Sequence, residues 1–138
     1  MGRPLKVLMI ENSEDDAVLA AYELQRAGYD LTSHRVETGP DLAAALARET
    51  WDLILSDYNL PGFSGLHALH IVKDSGLNIP FLLRSGTISE GALAEALRAG
   101  AHGHVSKDRA SVLAPAVEHV LRECASRSQL RGQILPHQ

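Results

Sequence analysis

Short apolar runs alternate along the chain with segments of helical spacing, and this alternation limits the fold more than any other feature. The five runs, most of them bracketed by turn-forming residues, are residues 7–10, 31–36, 53–56, 81–83 and 104–106. Each run is too short for a helix and suits a strand. Strands separated by helices pair in parallel through right-handed crossovers. The pattern therefore predicts an α/β fold with an open, doubly wound, five-stranded parallel sheet.

The segments between the runs have apolar residues three or four positions apart, as expected for one face of a helix. In the first segment the predicted face consists of Val18, Ala21, Tyr22 and Leu24. In the fourth it consists of Leu93, Ala96 and Leu97. The last segment has the clearest stripe, made of Leu113, Ala116, Val117, Val120, Leu121 and Cys124. Asn12 or Ser13 is predicted to cap the first helix.

Length and composition are those of an ordinary globular protein. The 138 residues predict one domain, which we assign to residues 1–126, with residues 127–138 as a helix extension or tail. The formal net charge of -4 argues against direct nucleic-acid binding, which needs a basic surface. No apolar run approaches the ~20 residues of a membrane span, and the acids near the start of the chain argue against a signal peptide. We therefore expect a cytoplasmic protein.

Polar residues follow the predicted strands at the edge where ligands bind in such sheets. Glu11 and Asn12 follow the first strand, Asp57 the third, Ser85 the fourth and Lys107 the fifth. Carboxylate and amide oxygens suit Mg²⁺, and an Asp beside the metal can attack a phosphoryl group. The metal and the lysine would neutralise charge on the transferred group. An Asp at a strand end can equally be a turn or cap residue, so the prediction depends on the whole set.

Two segments resemble known sequences of one family. LILSDYNLPGFSGLHAL resembles the phosphoacceptor segment of bacterial response-regulator receiver domains, and FLLRSGTISEGALAEALRAGAHGHVSKD resembles their fourth and fifth strand regions. The resemblance covers roughly residues 5–125. It implies a flavodoxin-like (βα)5 domain with the strand order 2-1-3-4-5.

The resemblance also implies a role for each site residue. Asp57 would be the phosphoacceptor, Lys107 the lysine that contacts the phosphate, and Ser85 the switch hydroxyl. The resemblance also implies the ligands of Mg²⁺, which would be Glu11, Asn12, Asp57 and the backbone carbonyl of Asn59. His104 stands at the position of a second switch residue.

The function that the resemblance implies is two-component signal transduction. A sensor histidine kinase or a histidine phosphotransfer protein would phosphorylate Asp57, and the added charge would switch a partner-binding surface. A receiver catalyses its own phosphoryl transfer and dephosphorylation, so we expect a regulator rather than a conventional enzyme. The output domain is either covalently linked or separate. No direct contact with nucleic acid or membrane is expected, and homodimerisation is left open.

The chain departs from the family pattern at two site positions. Asn12 replaces an acid, and because an amide brings no charge we expect a weak Mg²⁺ site. Asp15 and Asp16 follow, with a predicted role at the positive end of the first helix and a water-mediated contact to the site as the alternative. His104 replaces the usual Tyr or Phe and is either a switch with altered bias or a surface histidine. These departures motivate the alternative function, a phosphorylation-independent (pseudo-receiver) interaction domain.

Arg84 is a charged residue at the end of an otherwise apolar run. We expect it at the exposed end of the fourth strand, with an anion near the site as its alternative partner.

Overall fold

Five parallel strands form the sheet of the computed structural model, which describes residues 2–134 and the side chains of residues 2–125. The strands are β1 (Arg3–Ile10), β2 (Tyr29–Val36), β3 (Leu53–Asp57), β4 (Phe81–Ser85) and β5 (Gly103–Ser106). Their spatial order is β2-β1-β3-β4-β5, and every pair is parallel. The predicted fold class and strand order are therefore confirmed.

One helix follows each strand along the chain. The helices are α1 (Glu14–Arg26), α2 (Gly39–Arg48), α3 (Gly65–Asp74), α4 (Glu90–Ala99) and α5 (Leu113–Ile134). Ser13 is the N-cap of α1, because its side chain accepts from the Asp16 N–H (3.2 Å). No helix within residues 2–134 is long and apolar enough to cross a membrane.

Helix α5 continues across the predicted domain boundary at residues 126 and 127. The division into a domain and an extension therefore stays a prediction. Residues 135–138 of the predicted tail lie outside the described residues.

Each face of the sheet has its own apolar core. Leu42, Leu69 and Ala96 bring α2, α3 and α4 onto one face, where they pack with Ile54 and Leu83 of the sheet. On the other face, α1 and α5 pack on Val7, Met9, Leu53 and Leu82 through buried side chains that include Leu24, Val117 and Val120. All five residues of β3 are buried. Burial on both faces is why the central strands have continuous apolar runs rather than alternating ones.

The predicted faces of α1 and α4 are partly wrong. In α1 the buried residues are Ala17, Ala20 and Leu24, whereas Val18 and Tyr22 are 59% and 55% exposed. In α4, Ala96 is buried and Leu97 is exposed. Two alanines on the inner face let α1 pack closely on the sheet, and the larger apolar side chains then face outward. The α5 stripe is confirmed, with Leu113, Val117 and Val120 buried.

Candidate functional site

Polar side chains gather at the carboxyl edge of the sheet. Glu11 directly follows β1, and Asp57 is the last residue of the neighbouring β3. Lys107 directly follows β5, and its backbone N–H donates to the Ser85 carbonyl at the end of β4 (3.0 Å). Glu11, Asp57 and Ser85 are buried. The fold therefore brings these four predicted residues to one place.

The Lys107 ammonium lies at the centre of this group. Its Nζ is 2.8 Å from Asp57 Oδ2, 2.8 Å from Asp16 Oδ2 and 2.9 Å from Glu11 Oε1. The side chains of Glu11 and Asp57 are only 4% and 8% exposed, while that of Asp16 is 38% exposed. We call Glu11, Asp16, Asp57 and Lys107 the carboxylate cluster. It holds three carboxylates around one ammonium.

These contacts shift the pKa values of two members of the cluster, Glu11 and Lys107. Burial raises the pKa of Glu11 and the charge of Asp57 raises it further, while the hydrogen bonds from Lys107 and the Ser13 N–H act in the opposite direction. Burial by itself would lower the pKa of Lys107. The hydrogen bonds to Asp16, Asp57 and Glu11 outweigh burial and raise that pKa far above its ordinary value. Lys107 is therefore a cation at every physiological pH.

Both oxygens of the Asp57 carboxylate have a fixed partner. Oδ2 accepts from Lys107, and Oδ1 accepts from the backbone N–H of Asn59 (3.2 Å). Asn59 belongs to a short antiparallel hairpin, Asn59–Leu60 with Phe63–Ser64, which the apolar pattern did not predict. A strand of two residues is too short to produce a detectable sequence period.

Gly65 lets α3 approach the end of β3. A Cβ at this position would lie 2.8 Å from the Asp57 carbonyl oxygen and 2.9 Å from Leu83 Cδ2. The Gly65 N–H donates to the Tyr58 carbonyl (2.8 Å), which fixes the turn after the strand. Glycine is therefore required here by close approach to the backbone of Asp57.

The predicted metal ligands are only partly brought together. Glu11 and Asp57 lie in the carboxylate cluster, whereas Asn12 and Asn59 are exposed. Asn59 nevertheless contacts Asp57 through its backbone N–H. Asn12 directly follows the buried Glu11 on the solvent side, so its side chain is an accessible neighbour of the cluster rather than a part of it.

The chemistry of the donors fits a hard cation. Glu11 and Asp57 offer carboxylate oxygens, and the chain after Asp57 offers the Asn59 carbonyl, all of which are oxygen ligands that Mg²⁺ binds. In residues 2–125, no three His, Cys, Asp or Glu side chains converge as in an all-protein metal cage. Mg²⁺ does not need such a cage because it keeps several of its waters.

Two residues that the sequence placed elsewhere belong to this edge. Asp16 bonds Lys107 directly from the first turn of α1, in addition to its place at the helix terminus. Arg84 is not at an exposed strand end but half-buried, and it lines a cavity of about 90 Å³ together with Asp16 and Lys107. Burial lowers the pKa of Arg84, and the charges of Glu11, Asp16 and Asp57 act against this. Arg84 is thus a second cation close to the carboxylates.

Ser85 and His104 form a pair beside the cluster. The Ser85 Oγ lies 3.0 Å from Nε2 of His104. His104 is half-buried, and this burial lowers its pKa. Of the two interpretations of His104, its partial burial and its contact with Ser85 favour the switch residue, which stays a prediction.

The sequence matches known regulatory proteins. A model of the response regulator receiver domain matches residues 7–118. The transcriptional regulatory protein YrkP of Bacillus subtilis is 35% identical over 104 residues, which cover 74% of this chain and 42% of YrkP. The DNA-binding transcriptional regulator NtrC of Salmonella typhimurium is 31% identical over 94 residues, which cover 68% of this chain and 20% of NtrC. The chain therefore spans less than half the length of these relatives.

The fold matches that of a solved structure. The chemotaxis response regulator CheY4 of Vibrio cholerae superposes with a TM-score of 0.71 at 24% identity, covering 84% of this chain and 98% of CheY4. This structural similarity shows the fold alone, whereas the match to the family model shows the family. The family model covers most of the chain, including all four residues of the carboxylate cluster. This chain therefore belongs to the response regulator receiver domains of two-component systems.

Proposed function

We propose that Asp57 accepts a phosphoryl group from the phosphohistidine of a sensor histidine kinase or a histidine phosphotransfer protein. The observation that carries the proposal is the contact of Asp57 with Lys107 (2.8 Å) inside a buried cluster of carboxylates. Lys107, 50 positions away along the chain, gives this carboxylate a cation that can also bind phosphoryl oxygens. The resulting charge of about -1.5 to -2 would switch a surface that partners bind.

The transfer uses groups that this chain already holds in place. One oxygen of Asp57 attacks the phosphorus, the P–N bond of the donor breaks, and its electron pair returns to the donor imidazole. Lys107 then exchanges its bond to the Asp57 carboxylate for bonds to the new phosphoryl oxygens and neutralises their charge. Ser85 supplies a hydroxyl for another phosphoryl oxygen.

Mg²⁺ is the cofactor we propose for this transfer. When bound, it would neutralise negative charge on the phosphoryl group during transfer. Glu11, Asp57 and the Asn59 carbonyl would hold it, with water completing the shell. Asn12 offers an uncharged oxygen beside them, so the affinity is low compared with a site that has three carboxylates.

The exposed apolar side of α1 supports a protein as phosphodonor. Val18, Leu19 and Tyr22 are each more than half exposed, and they lie on the helix that brings Asp16 to the carboxylate cluster. A phosphohistidine must approach Asp57 to about 3 Å, so the donor has to cover this edge of the sheet. We propose that it packs on α1, as a partner-binding apolar patch would.

This docking surface has a direct test. Leu19→Lys should slow transfer from a phosphorylated donor protein at least about tenfold, because it places a charge in the apolar contact. Transfer from acetyl phosphate, which needs no docking, should keep its rate. Equal slowing of both reactions would contradict docking on α1.

The phosphoacceptor itself is tested with acetyl phosphate and Mg²⁺, followed by intact-mass measurement. The wild type should gain one phosphoryl group, and Asp57→Asn should gain none because the amide is not a nucleophile. Asp74→Asn, at an exposed acid of α3, is the matched control and should behave as the wild type does. An unmodified wild type, or modification of Asp57→Asn, would contradict the proposal.

The alternative is a phosphorylation-independent interaction domain. It draws its support from Asn12, which leaves the metal site one carboxylate short. In that case the wild type would stay unmodified with acetyl phosphate while still binding its partner. A cytoplasmic location, a linked or separate output domain and homodimerisation remain predictions.

A further inference from the structure

The contact between Ser85 and His104 links the direction of the Ser85 proton to the protonation of the histidine ring. Ser85 is 1% exposed, and its Oγ lies 3.0 Å from His104 Nε2. Among the described residues, His104 is the only hydrogen-bond partner of this hydroxyl. A buried O–H without an acceptor is costly. Only an unprotonated Nε2 can accept this proton, so the arrangement that satisfies the buried hydroxyl has Ser85 as the donor and Nε2 as the acceptor.

A phosphoryl group on Asp57 requires the opposite arrangement. Its oxygens only accept hydrogen bonds, so Ser85 must donate its single proton to it. Ser85 then stays bonded to His104 only by accepting from an N–H. The neutral resting ring has its proton on Nδ1, so Nε2 gains a second proton and the ring becomes the imidazolium.

We propose that His104 is a positioning residue that controls the Ser85 proton. An unprotonated Nε2 holds the hydroxyl in the resting state, and a protonated Nε2 releases it toward the phosphoryl group. The inference rests on the proposed function, because it takes Asp57 as phosphoacceptor and Ser85 as the switch hydroxyl. By linkage, a proton on His104 and a phosphoryl group on Asp57 favour each other.

The surroundings of His104 suit this role. His104 pairs in register with Leu83, on the sheet face that α4 covers. The charged residues of α4 are Glu90, Glu95 and Arg98. At or near the strand ends lie Asp57, Arg84, Lys107 and the titratable His102. Burial accounts for the lowered pKa of His104, which keeps the resting ring neutral, as an acceptor must be. The negative charge of a phosphoryl group would favour the imidazolium.

NMR of the full chain with ¹⁵N-labelled histidine tests the proposal without any substitution. Beryllofluoride with Mg²⁺ serves as the probe for the phosphoryl group, and ring ¹⁵N shifts distinguish a protonated nitrogen from an unprotonated one. We expect Nε2 of His104 to be unprotonated in the resting protein and protonated after beryllofluoride binds. If Nε2 keeps one form while beryllofluoride occupies Asp57, the inference fails and the proposed function stands. If beryllofluoride does not bind, both fail.

Variants give a second, independent readout. The wild-type affinity for beryllofluoride should rise as the pH falls from 8 to 6, by at most about tenfold per unit because one proton is taken up. His104→Gln can both donate and accept but does not titrate, so this rise should be absent. His70→Gln, at an exposed histidine of α3, should keep it. The same pH dependence in the wild type and in His104→Gln would overturn the proposal.

Discussion

Lys107→Met removes the ammonium that three carboxylates share, while a side chain of similar length remains. Glu11 and Asp57, which are 4% and 8% exposed, each lose a charge-assisted hydrogen bond worth about 1.5 kcal/mol or more. Asp16 is 38% exposed, so its contact is screened by solvent and adds less than about 1 kcal/mol. The free energy of unfolding near pH 7 should therefore fall by about 3–4 kcal/mol, as expected when one partner of a buried ion pair is removed.

The pH dependence of this loss follows from the raised pKa of Lys107. A cation whose pKa is higher in the folded protein contributes stability fully below the unfolded value near 10.5 and loses it only at higher pH. The difference between wild type and variant should thus be constant around neutral pH. It should shrink in acid, where Glu11, whose pKa is raised by burial, becomes protonated and no longer needs the ammonium.

Urea unfolding followed by circular dichroism at several pH values, in metal-free buffer, measures the difference. Lys73→Met, at an exposed lysine of α3, is the matched control and should change the unfolding free energy by less than about 0.5 kcal/mol. Added Mg²⁺ should stabilise Lys107→Met more than the wild type, because the ion then meets no competing ammonium. A loss below about 1 kcal/mol, or one that persists unchanged at pH 3, would refute the reasoning.

Three other substitutions test separate features of the site. Glu11→Gln should raise the urea midpoint at pH 7, since burial raises the pKa of Glu11 and its ionised form therefore costs stability; the gain should vanish below about pH 4.5. Gly65→Ala should cost about 1–3 kcal/mol of unfolding free energy and slow phosphorylation by acetyl phosphate, because the new Cβ pushes on the Asp57 carbonyl and Leu83. Asn12→Asp should tighten Mg²⁺ binding in an NMR titration by about tenfold, since it adds a charged ligand, whereas Asn12→Ser should not.

The fold was predictable because the apolar runs of buried parallel strands stand out from the helices between them. The inner face of α1 was not. Its sequence AVLAAYEL has apolar residues on nearly every side of the helix. One apolar face has Ala17, Ala20 and Leu24, another has Val18 and Tyr22, and both have helical spacing. Close packing of small residues on the sheet decides between them, and that depends on the tertiary structure.

The candidate site was predictable as far as strand ends determine it. Glu11, Asp57 and Lys107 meet because parallel strands end at one edge. Asp16 was predicted to act at the positive end of the first helix, with a water-mediated contact to the site only as the alternative. Its bond to Lys107 spans 91 positions of the chain, and no local pattern reports such a contact.

The core on the α1 and α5 face is built from opposite ends of the chain. Val7 and Met9 of β1 are synthesised about a hundred residues before Val117 and Val120 of α5, with which they pack. At ribosomal rates of about 5–20 residues per second, this sheet face has only α1 as cover for roughly 5–20 s, until α5 is made. The opposite core is complete once Ala101 has emerged. Helix α5, which supplies no residue to the carboxylate cluster, therefore decides when this face of the sheet becomes fully covered.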